Sequence, residues 1–224
     1  MEKELINDIV GWDIANWSKA LDYWEKNTSV SNKEYQCLEL GSSKGGMSLW
    51  LALNKNRVLC TDLYGPEKDA YHIHEKHNCA SRITYAAIDA TNIPYEGYFD
   101  VIIFKSILGG ISSDTNQNKG NTINEIYKAL KPGGVLFFAE NLEATLLHRI
   151  LRKGYGTKDW NYLKLSEIDE VFAPFSTVNY TTEGFFGCFG RNEQQRNMLG
   201  KLDHLLASII PMKSKYIVIG VAVK

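Results

Sequence analysis

The sequence predicts a doubly wound α/β domain built on a mostly parallel sheet. Three observations predict it: short apolar runs of strand length, helical stretches between those runs, and a Lys-Pro-Gly-Gly segment at 131–134 that stops a helix before the fifth run. Strands that are apolar along their whole length are typical of sheets covered on both faces. Their alternation with helices indicates parallel strands joined by helical crossovers.

Each element has its own place in this pattern. The predicted strands are 36–40, 57–62, 83–88, 99–104, 135–140, 175–182 and 215–223. The predicted helices between them are 46–54, 67–78, 120–130, 142–153 and 191–209. The sequence has three strand–helix units, then a stretch without a predicted element, then two more units. This arrangement indicates that the winding direction reverses beside the first strand, where such sheets bind their ligands.

The first part of the chain is predicted to be a separate helical extension. We assign residues 1–34 to this extension and 35–224 to a single α/β domain. Trp17, Ala20, Leu21 and Trp24 recur at helical spacing within 13–26. Two placements remain open: a lid across the ligand cleft, or a segment that docks its tryptophans into the core.

Composition excludes several function classes. The chain has 25 Lys and Arg against 26 Asp and Glu, which leaves no basic footprint for nucleic acid or an anionic membrane. No apolar run approaches the roughly 18–20 residues of a membrane span. The 4 cysteines form no C-x-x-C pair, which is typical of reduced thiols. We therefore expect a cytoplasmic protein, a monomer or homodimer, without nucleic-acid or membrane partners.

The loop after the first strand carries the first candidate binding residues. It reads Glu39-Leu-Gly-Ser-Ser-Lys-Gly-Gly46, and a helix is predicted to begin near Met47. Glycines such as Gly41 and Gly45 let the backbone turn tightly and approach a ligand closely. Amides at a helix N-terminus can meet a carboxylate or a phosphate.

Carboxylates end the second and third predicted strands. Asp62 follows Gly41 by 21 positions, the separation expected for an acid that binds both hydroxyls of a cofactor ribose. Asp89 stands where a carboxylate can accept a hydrogen bond from an adenine amino group. The alternatives are a helix N-cap for Asp62 and a surface turn for Asp89.

Together these motifs resemble class I S-adenosylmethionine-dependent methyltransferases of the type 11 kind. In order they are E-x-G-x-S-x-G, an acid closing strand two, D-A after strand three, F-D-V-I-I and L-K-P-G-G-V-L, over residues 35–140. Ser43 departs from the second glycine that the family usually has there. The resemblance implies a Rossmann-like, seven-stranded sheet with an antiparallel last strand. It also implies S-adenosyl-L-methionine as cofactor and S-adenosyl-L-homocysteine as product.

The resemblance also implies which residues bind the cofactor. The glycine loop would wrap the methionine moiety, and its glutamate would balance the ammonium group. The strand-two acid would hold the ribose, and the residues after strands two and three would contact the adenine. The lysine ending strand four would lie beside the cofactor, near the acceptor. These residues are Glu39, Gly41, Ser42, Gly45, Asp62, Leu63, Asp89, Ala90 and Lys105.

The acceptor is predicted to be a small molecule methylated on oxygen or nitrogen. Methylation of adenine or glutamine amides goes with an N/D-P-P-Y/F turn after strand four, but this chain has Phe104-Lys105-Ser106-Ile107 there. It also lacks the Pro-Cys nucleophile of C5-cytosine enzymes. The stretches at 12–21 and 140–152 faintly resemble methyltransferases of bacterial surface-polysaccharide or secondary-metabolite pathways, which favours a sugar hydroxyl or an amine.

Residues after the fourth and fifth strands are the candidates for chemistry. His148 is the leading base, since imidazole has an unperturbed pKa of about 6.5, and Lys105 is the second catalytic candidate. A packed or solvent-facing histidine is the alternative. The candidates for acceptor binding are Asn141, Arg149, Trp160 and Tyr162.

A metal site is not expected. Lys105 stands where catechol-type enzymes need a carboxylate ligand, and a cation cannot replace one. His74 and His77 could share an ion, but no third ligand follows, so a solvated helix face is predicted there. Two other functions stay open: a catalytically silent cofactor-binding partner of the same fold, and an NAD-dependent oxidoreductase, although the loop lacks G-x-G-x-x-G spacing.

Overall fold

A computed structural model describes residues 2–113, 117–157 and 159–224. Its centre is a seven-stranded sheet in the order β3-β2-β1-β4-β5-β7-β6. The strands are β1 (Gln36–Leu40), β2 (Arg57–Asp62), β3 (Ile83–Ala87), β4 (Phe99–Lys105), β5 (Leu130–Asn141), β6 (Thr177–Glu183) and β7 (Ile217–Val223). Neighbours among β1 to β5 pair in parallel, and β7 is antiparallel to both β5 and β6. The predicted Rossmann-like fold class is therefore confirmed.

Ten α-helices surround this sheet within the described residues. They are α1 (Lys3–Val10), α2 (Ile14–Trp17), α3 (Lys19–Asn27), α4 (Gly46–Leu53), α5 (Lys68–Lys76), α6 (Leu108–Ile111), α7 (Gln117–Ala129), α8 (Leu146–Tyr155), α9 (Ile168–Val171) and α10 (Glu193–Leu206). None of the described helices combines the length and the apolar character that a membrane span requires.

The central strands are apolar because both faces of the sheet are covered. Phe137 and Phe138 are both buried on β5, and they point to opposite faces because side chains alternate along a strand. Phe137 packs with Trp24 and Trp50 in one core cluster. Phe138 stacks on Phe172 in the other, at 4.2 Å between ring centroids.

The Lys-Pro-Gly-Gly segment differs from its prediction. Leu130 already pairs with Phe99, and the next pair is Val101 with Val135, so 131–134 form a bulge inside β5. Gly133 has a φ of 74°, a left-handed conformation that glycine adopts without a steric penalty. Helix α7 ends at Ala129, before the segment, and β5 has already begun at Leu130.

The N-terminal segment contains three helices where one was predicted. Helix α1 was not predicted, and Ser18 separates α2 from α3. Trp17 and Trp24 are buried in the core, and the Trp24 indole donates a hydrogen bond to the Gly220 carbonyl over 3.0 Å. The docked placement therefore holds for these two tryptophans, whereas a lid stays a prediction.

Candidate active site

The loop after β1 has a shape that only glycine permits at two positions. Gly41 has a φ of 61° and Gly45 a φ of 71°. A Cβ atom on Gly41 would overlap Cγ2 of Ile107, and one on Gly45 would lie 2.6 Å from the His74 ring. His74 supports the loop, because its Nε2–H donates to the Gly45 carbonyl over 2.8 Å.

Glu39, at the end of β1, fixes the start of α4. Its buried carboxylate accepts hydrogen bonds from the Met47 amide (3.2 Å) and the Ser48 amide (2.8 Å). A carboxylate at a helix N-terminus is stabilised by the helix dipole. Burial nevertheless raises the pKa of Glu39 to about 7, against the lowering effect of those hydrogen bonds.

A second buried glutamate has the same role at the end of β5. One carboxylate oxygen of Glu140 accepts hydrogen bonds from the amides of Ile107 (2.9 Å) and Leu108 (2.7 Å). Burial raises the pKa of Glu140 to about 7. These hydrogen bonds hold the loop after β4 to the end of β5. The same loop places Ile107 against Gly41.

A cavity of about 630 Å³, here called the loop cavity, opens between these loops and the N-terminal segment. Glu39, Gly41 and Ser42 line it from the β1 side, residues 7–12 from the other side, and Lys105 and Ser106 from β4. The Ser42 hydroxyl is buried, and apart from its interaction with the Cys60 thiol it has no hydrogen-bond partner among the described residues. A thiol is a weak partner, so this polar atom leaves a position for a ligand's hydrogen-bonding group.

The other predicted cofactor residues lie on neighbouring strand ends, outside the lining of the loop cavity. The Asp62 carboxylate accepts hydrogen bonds from the amides of Ser43 and Leu63, both over 2.8 Å. Asp89 accepts from the Thr91 amide and hydroxyl, as in the surface turn considered for it. Leu63 is half exposed, at 50%, whereas Ala90 is buried.

Lys105 extends from the end of β4 into the loop cavity. Its Nζ lies 4.7 Å from the centroid of the Trp17 ring and 5.7 Å from that of Trp12. Within the described residues no hydrogen bond or ion pair engages Nζ. Burial lowers its pKa to about 8, although the carboxyl groups of Glu39, Glu140 and Asp13, when ionised, act in the opposite direction.

A second cavity, of about 740 Å³, adjoins the first. Trp12 and Ser106 line both cavities. Three of the predicted acceptor residues line the second one: Asn141, Trp160 and Tyr162. Asn141, the last residue of β5, also donates a hydrogen bond to the Ser106 hydroxyl over 2.5 Å. This bond fixes Ser106 where the two cavities join.

The wall formed by Trp160 depends on two glycines in α6. A Cβ atom on Gly109 would overlap the Trp160 indole, and one on Gly110 would lie 3.2 Å from its ring. The Asn161 amide donates to the Gly109 carbonyl over 3.0 Å. This close approach of ring and backbone explains the Gly-Gly pair, whose purpose the sequence alone did not reveal.

The opposite wall comes from the loop 184–190, which a buried polar cluster holds in place. Asp203 on α10 accepts hydrogen bonds from the amides of Phe185 (2.9 Å), Phe186 (2.7 Å) and Gly187 (2.9 Å). Asn16 donates to Asp203 over 2.9 Å. The loop then carries Cys188, Phe189 and Gly190 to the second cavity.

The same cluster contains a buried acid from the N-terminal segment. The Asp13 carboxylate accepts hydrogen bonds from the Asn16 amide group and the Tyr216 hydroxyl. Burial raises the pKa of Asp13 to about 8, and the negative charges of Asp203 and Glu193 raise it further. Asp13 is therefore largely protonated at neutral pH.

His148 does not lie in either cavity. Its ring is fully buried, one nitrogen bonds to the Thr145 hydroxyl (2.8 Å), and Nε2–H donates to the Phe185 carbonyl (2.9 Å). Burial lowers its pKa, and aromatic rings surround it. Because α8 turns this side chain toward the core, the geometry corrects the expectation that His148 is the base and favours the packed alternative.

Arg149 is likewise absent from the cavity linings, and Arg152 stands there instead. Arg149 is exposed and pairs with Glu143 over 3.3 Å. Arg152, three residues further along the helix, lines the second cavity and stacks on the Tyr162 ring at 4.0 Å. Residues three apart lie on the same side of a helix, but these two side chains extend to different partners, Arg149 to Glu143 and Arg152 to Tyr162.

Two further outcomes concern metals and missed residues. Among the described residues there is no group of three or more His, Cys, Asp and Glu suited to hold an ion.

The solvated face predicted for the α5 histidines is wrong for His74, which is buried. Arg191 and Arg196 line the second cavity but were missed, because nothing near them in the sequence marks a site.

Comparison with known proteins identifies the domain. The profile of a family described as a methyltransferase domain matches residues 38–138, from β1 into β5. A search of curated protein sequences finds no match.

Solved structures share the fold at low sequence identity. A phosphoethanolamine N-methyltransferase 2 from Haemonchus contortus, in complex with phosphomonomethylethanolamine and S-adenosylhomocysteine, gives a TM-score of 0.64 at 18% identity. The match covers 93% of this chain and 52% of that one, so this chain spans about half its length.

Two other structures show the range of the fold. A geranyl diphosphate C-methyltransferase from Streptomyces coelicolor, in complex with Mg²⁺, geranyl diphosphate and S-adenosyl-L-homocysteine, gives 0.63 at 10% identity, with 92% and 78% coverage. The [4+2]-cyclase SpnF gives 0.61 at 15% identity, with 93% and 80% coverage. The profile match and the shared fold agree with the resemblance in the motifs: residues 38–138 match a methyltransferase domain, and the chain has the fold of class I S-adenosylmethionine-dependent methyltransferases.

Proposed function

We propose that this protein transfers a methyl group from S-adenosyl-L-methionine to an oxygen or nitrogen atom of a small molecule. The observation that carries the proposal is the join between the two cavities, which Trp12 and Ser106 both line. A cofactor in the loop cavity and an acceptor in the second cavity would meet at this join. Such positioning can supply up to ~7–11 kcal/mol of the barrier.

The residues of the loop cavity fit this cofactor. Gly41 allows close approach of its backbone, and the Ser42 hydroxyl has only the Cys60 thiol as a partner among the described residues. Glu39 lines the cavity, where its carboxylate would meet an ammonium group. Leu63 is an exposed apolar side chain, and an adenine lying on it would remove apolar surface from water. The full set assigned to the cofactor is Glu39, Gly41, Ser42, Gly45, Asp62, Leu63, Asp89, Ala90 and Lys105.

S-adenosyl-L-methionine supplies a methyl group on a sulfonium, a leaving group that needs no protonation. The protein's remaining task is to accept the proton that an acceptor hydroxyl or ammonium group gives up. Lys105 is suited to this because its pKa is lowered to about 8, so roughly a tenth of the side chain is neutral at pH 7 and about half at pH 8. Its Nζ would take the proton, and the bonding electron pair would stay on the acceptor's oxygen or nitrogen.

The second cavity supports a small acceptor. Its volume of about 740 Å³ falls in the range of ordinary small-molecule sites, which are lined by apolar and aromatic groups with a few polar ones. Trp160 and Tyr162 provide aromatic walls, and Asn141 provides a polar group near the join. We assign these three residues to acceptor binding.

Methyl transfer can be tested with methyl-labelled S-adenosyl-L-methionine and a panel of small hydroxyl and amine compounds. Label should move to at least one compound. Asp62→Ala should raise the cofactor concentration for half-maximal transfer, because loss of the ribose partner costs ~1–3 kcal/mol, roughly 5- to 150-fold. Asp22→Ala, which removes an exposed acid on α3, is the control and should leave that concentration unchanged.

The outcomes separate the competing functions. Cofactor binding without label transfer to any compound would favour a catalytically silent partner of the same fold. Equal cofactor requirements in Asp62→Ala and Asp22→Ala would contradict the assignment of the ribose site.

A further inference from the structure

The second cavity is lined by arginines and, among the described residues, by no carboxylate side chain. Arg152, Arg191 and Arg196 contribute to its wall, together with Trp12, Trp160 and Tyr162. Near them, Glu193 offsets part of this charge, since its carboxylate lies 3.6 Å from Nη1 of Arg196. The chain as a whole has a formal charge of −1, so this local excess of positive charge is not a general property of its surface.

Two hydrogen bonds and a ring contact hold the Arg152 guanidinium, and some of its N–H donors remain unused. Its Nη1 donates to the backbone carbonyls of Leu142 (2.7 Å) and Glu143 (3.2 Å), and its guanidinium stacks on Tyr162. Within the described part of the chain, hydrogen bonds engage only this nitrogen. A guanidinium carries five N–H donors on three nitrogens, so Nε and Nη2 stay available to a ligand in the cavity.

Arg196 presents an unsatisfied donor. Its guanidinium lies 5.5 Å from the centroid of the Trp12 ring. Its Nε is buried and has no hydrogen-bond partner among the described residues. Buried N–H groups are ordinarily paired, and one without a partner is costly. A ligand atom that accepts a hydrogen bond would satisfy it.

We propose that the second cavity binds an acceptor that carries a carboxylate or phosphate group, with Arg152 and Arg196 holding this anion and the aromatic walls holding the rest of the molecule. Guanidinium groups match the paired oxygens of both anions. Trp12 lines both cavities, so an anion held by Arg196 would direct the other end of the molecule toward the join. The proposal rests on the proposed methyl transfer in one respect only, that the bound anion is called a methyl acceptor. The binding experiment that tests it does not require methyl transfer.

The test uses tryptophan fluorescence, since Trp12 and Trp160 line the cavity. Benzoate and phenyl phosphate are the anionic probes, and benzamide is the neutral probe that matches benzoate in shape. With S-adenosyl-L-homocysteine present, we expect each anion to bind at least about tenfold more tightly than benzamide, the effect of one good charge-assisted hydrogen bond. Added salt should weaken binding of the anions but not of benzamide.

In Arg196→Gln the affinities for benzoate and phenyl phosphate should fall to within about threefold of the affinity for benzamide. Arg149→Gln removes an arginine of α8 that lies outside the cavity, so it should keep the preference in full. Equal binding of anions and benzamide by the unaltered protein, or no salt dependence, would overturn the proposal even if Arg196→Gln failed to fold.

A separate titration with S-adenosyl-L-homocysteine distinguishes this failure from failure of the proposed function. Cofactor binding without a preference for anions would overturn the acceptor proposal alone. The opposite result is also informative. If the unaltered protein prefers anions, Arg196→Gln removes that preference, and S-adenosyl-L-homocysteine does not bind, the anion site is supported and methyl transfer is contradicted.

Discussion

Gly41→Ala separates the two reasons why this position needs glycine. The first reason is its φ of 61°, which a residue with a Cβ atom adopts at a cost of roughly 1–2 kcal/mol. The second is space, because the new Cβ would overlap Cγ2 of Ile107. Overfilling a packed site of this kind costs ~1–3 kcal/mol more.

Gly97→Ala is a matched control for the first reason alone. Gly97 also has a positive φ, of 56°, but a Cβ there would meet no atom within 4 Å. It precedes β4, at the end of the strand opposite to the loop cavity. Both variants should therefore lose stability through conformation, and only Gly41→Ala should lose more through overlap.

Thermal unfolding measures this difference. A change of 1 kcal/mol shifts Tm by roughly 2–4 °C in a chain of this size, so Gly41→Ala should unfold at least about 2 °C below Gly97→Ala. Ile107→Ala removes the overlapping Cγ2 atom, so Gly41→Ala should lower Tm less in an Ile107→Ala background than in the unaltered protein.

Binding of S-adenosyl-L-homocysteine adds a functional readout. Gly41 lines the loop cavity, so Gly41→Ala should weaken binding by more than about tenfold, whereas Gly97→Ala should not change it. Equal Tm values for the two alanine variants, with equal cofactor affinities, would refute both the packing argument and the assigned cofactor site.

Two further predictions depend on pH. The rate of methyl transfer should rise with pH through about 8, the lowered pKa of Lys105, since only the neutral amine accepts a proton. Lys105→Met should remove that rise while S-adenosyl-L-homocysteine still binds; an unchanged profile would exclude Lys105 as the base. For Asp13, whose pKa is raised to about 8 in the folded protein, the unfolded chain releases the proton first, so its contribution to stability falls as pH rises toward 8. Between pH 7 and 8 Asp13 makes the largest single contribution to this decline, because Glu39 and Glu140, with pKa values of about 7, are already half ionised at pH 7. Asp13→Asn should therefore make the decrease of Tm shallower there.

Much of the fold could be predicted because periodicity and turn residues act locally. The five parallel strands and the helices between them correspond to runs of apolar residues and to helix stops that are visible in the sequence. The break at Ser18 could not be predicted, since the apolar spacing of Trp17 and Leu21 continues across it. The bulge at 131–134 was missed because it depends on Leu130 pairing with a distant strand.

The site could be predicted only where sequence order fixes position. The carboxyl ends of parallel strands meet at one edge, which brings Glu39, Asp62, Asp89 and Lys105 to the same end of the sheet. The rotation of α8 depends on tertiary packing, so the sequence could not show that His148 is buried in the core or that Arg149 pairs with Glu143 outside the cavities. Arg196 comes from a helix far along the chain, and no local pattern connects it to the cleft.

The most direct measurement for the central claim is titration calorimetry of the purified protein with S-adenosyl-L-homocysteine, with NAD as the parallel titrant. The loop cavity and the glycines of its loop predict saturable binding of S-adenosyl-L-homocysteine at one site and no binding of NAD. Binding of NAD without S-adenosyl-L-homocysteine would contradict the account.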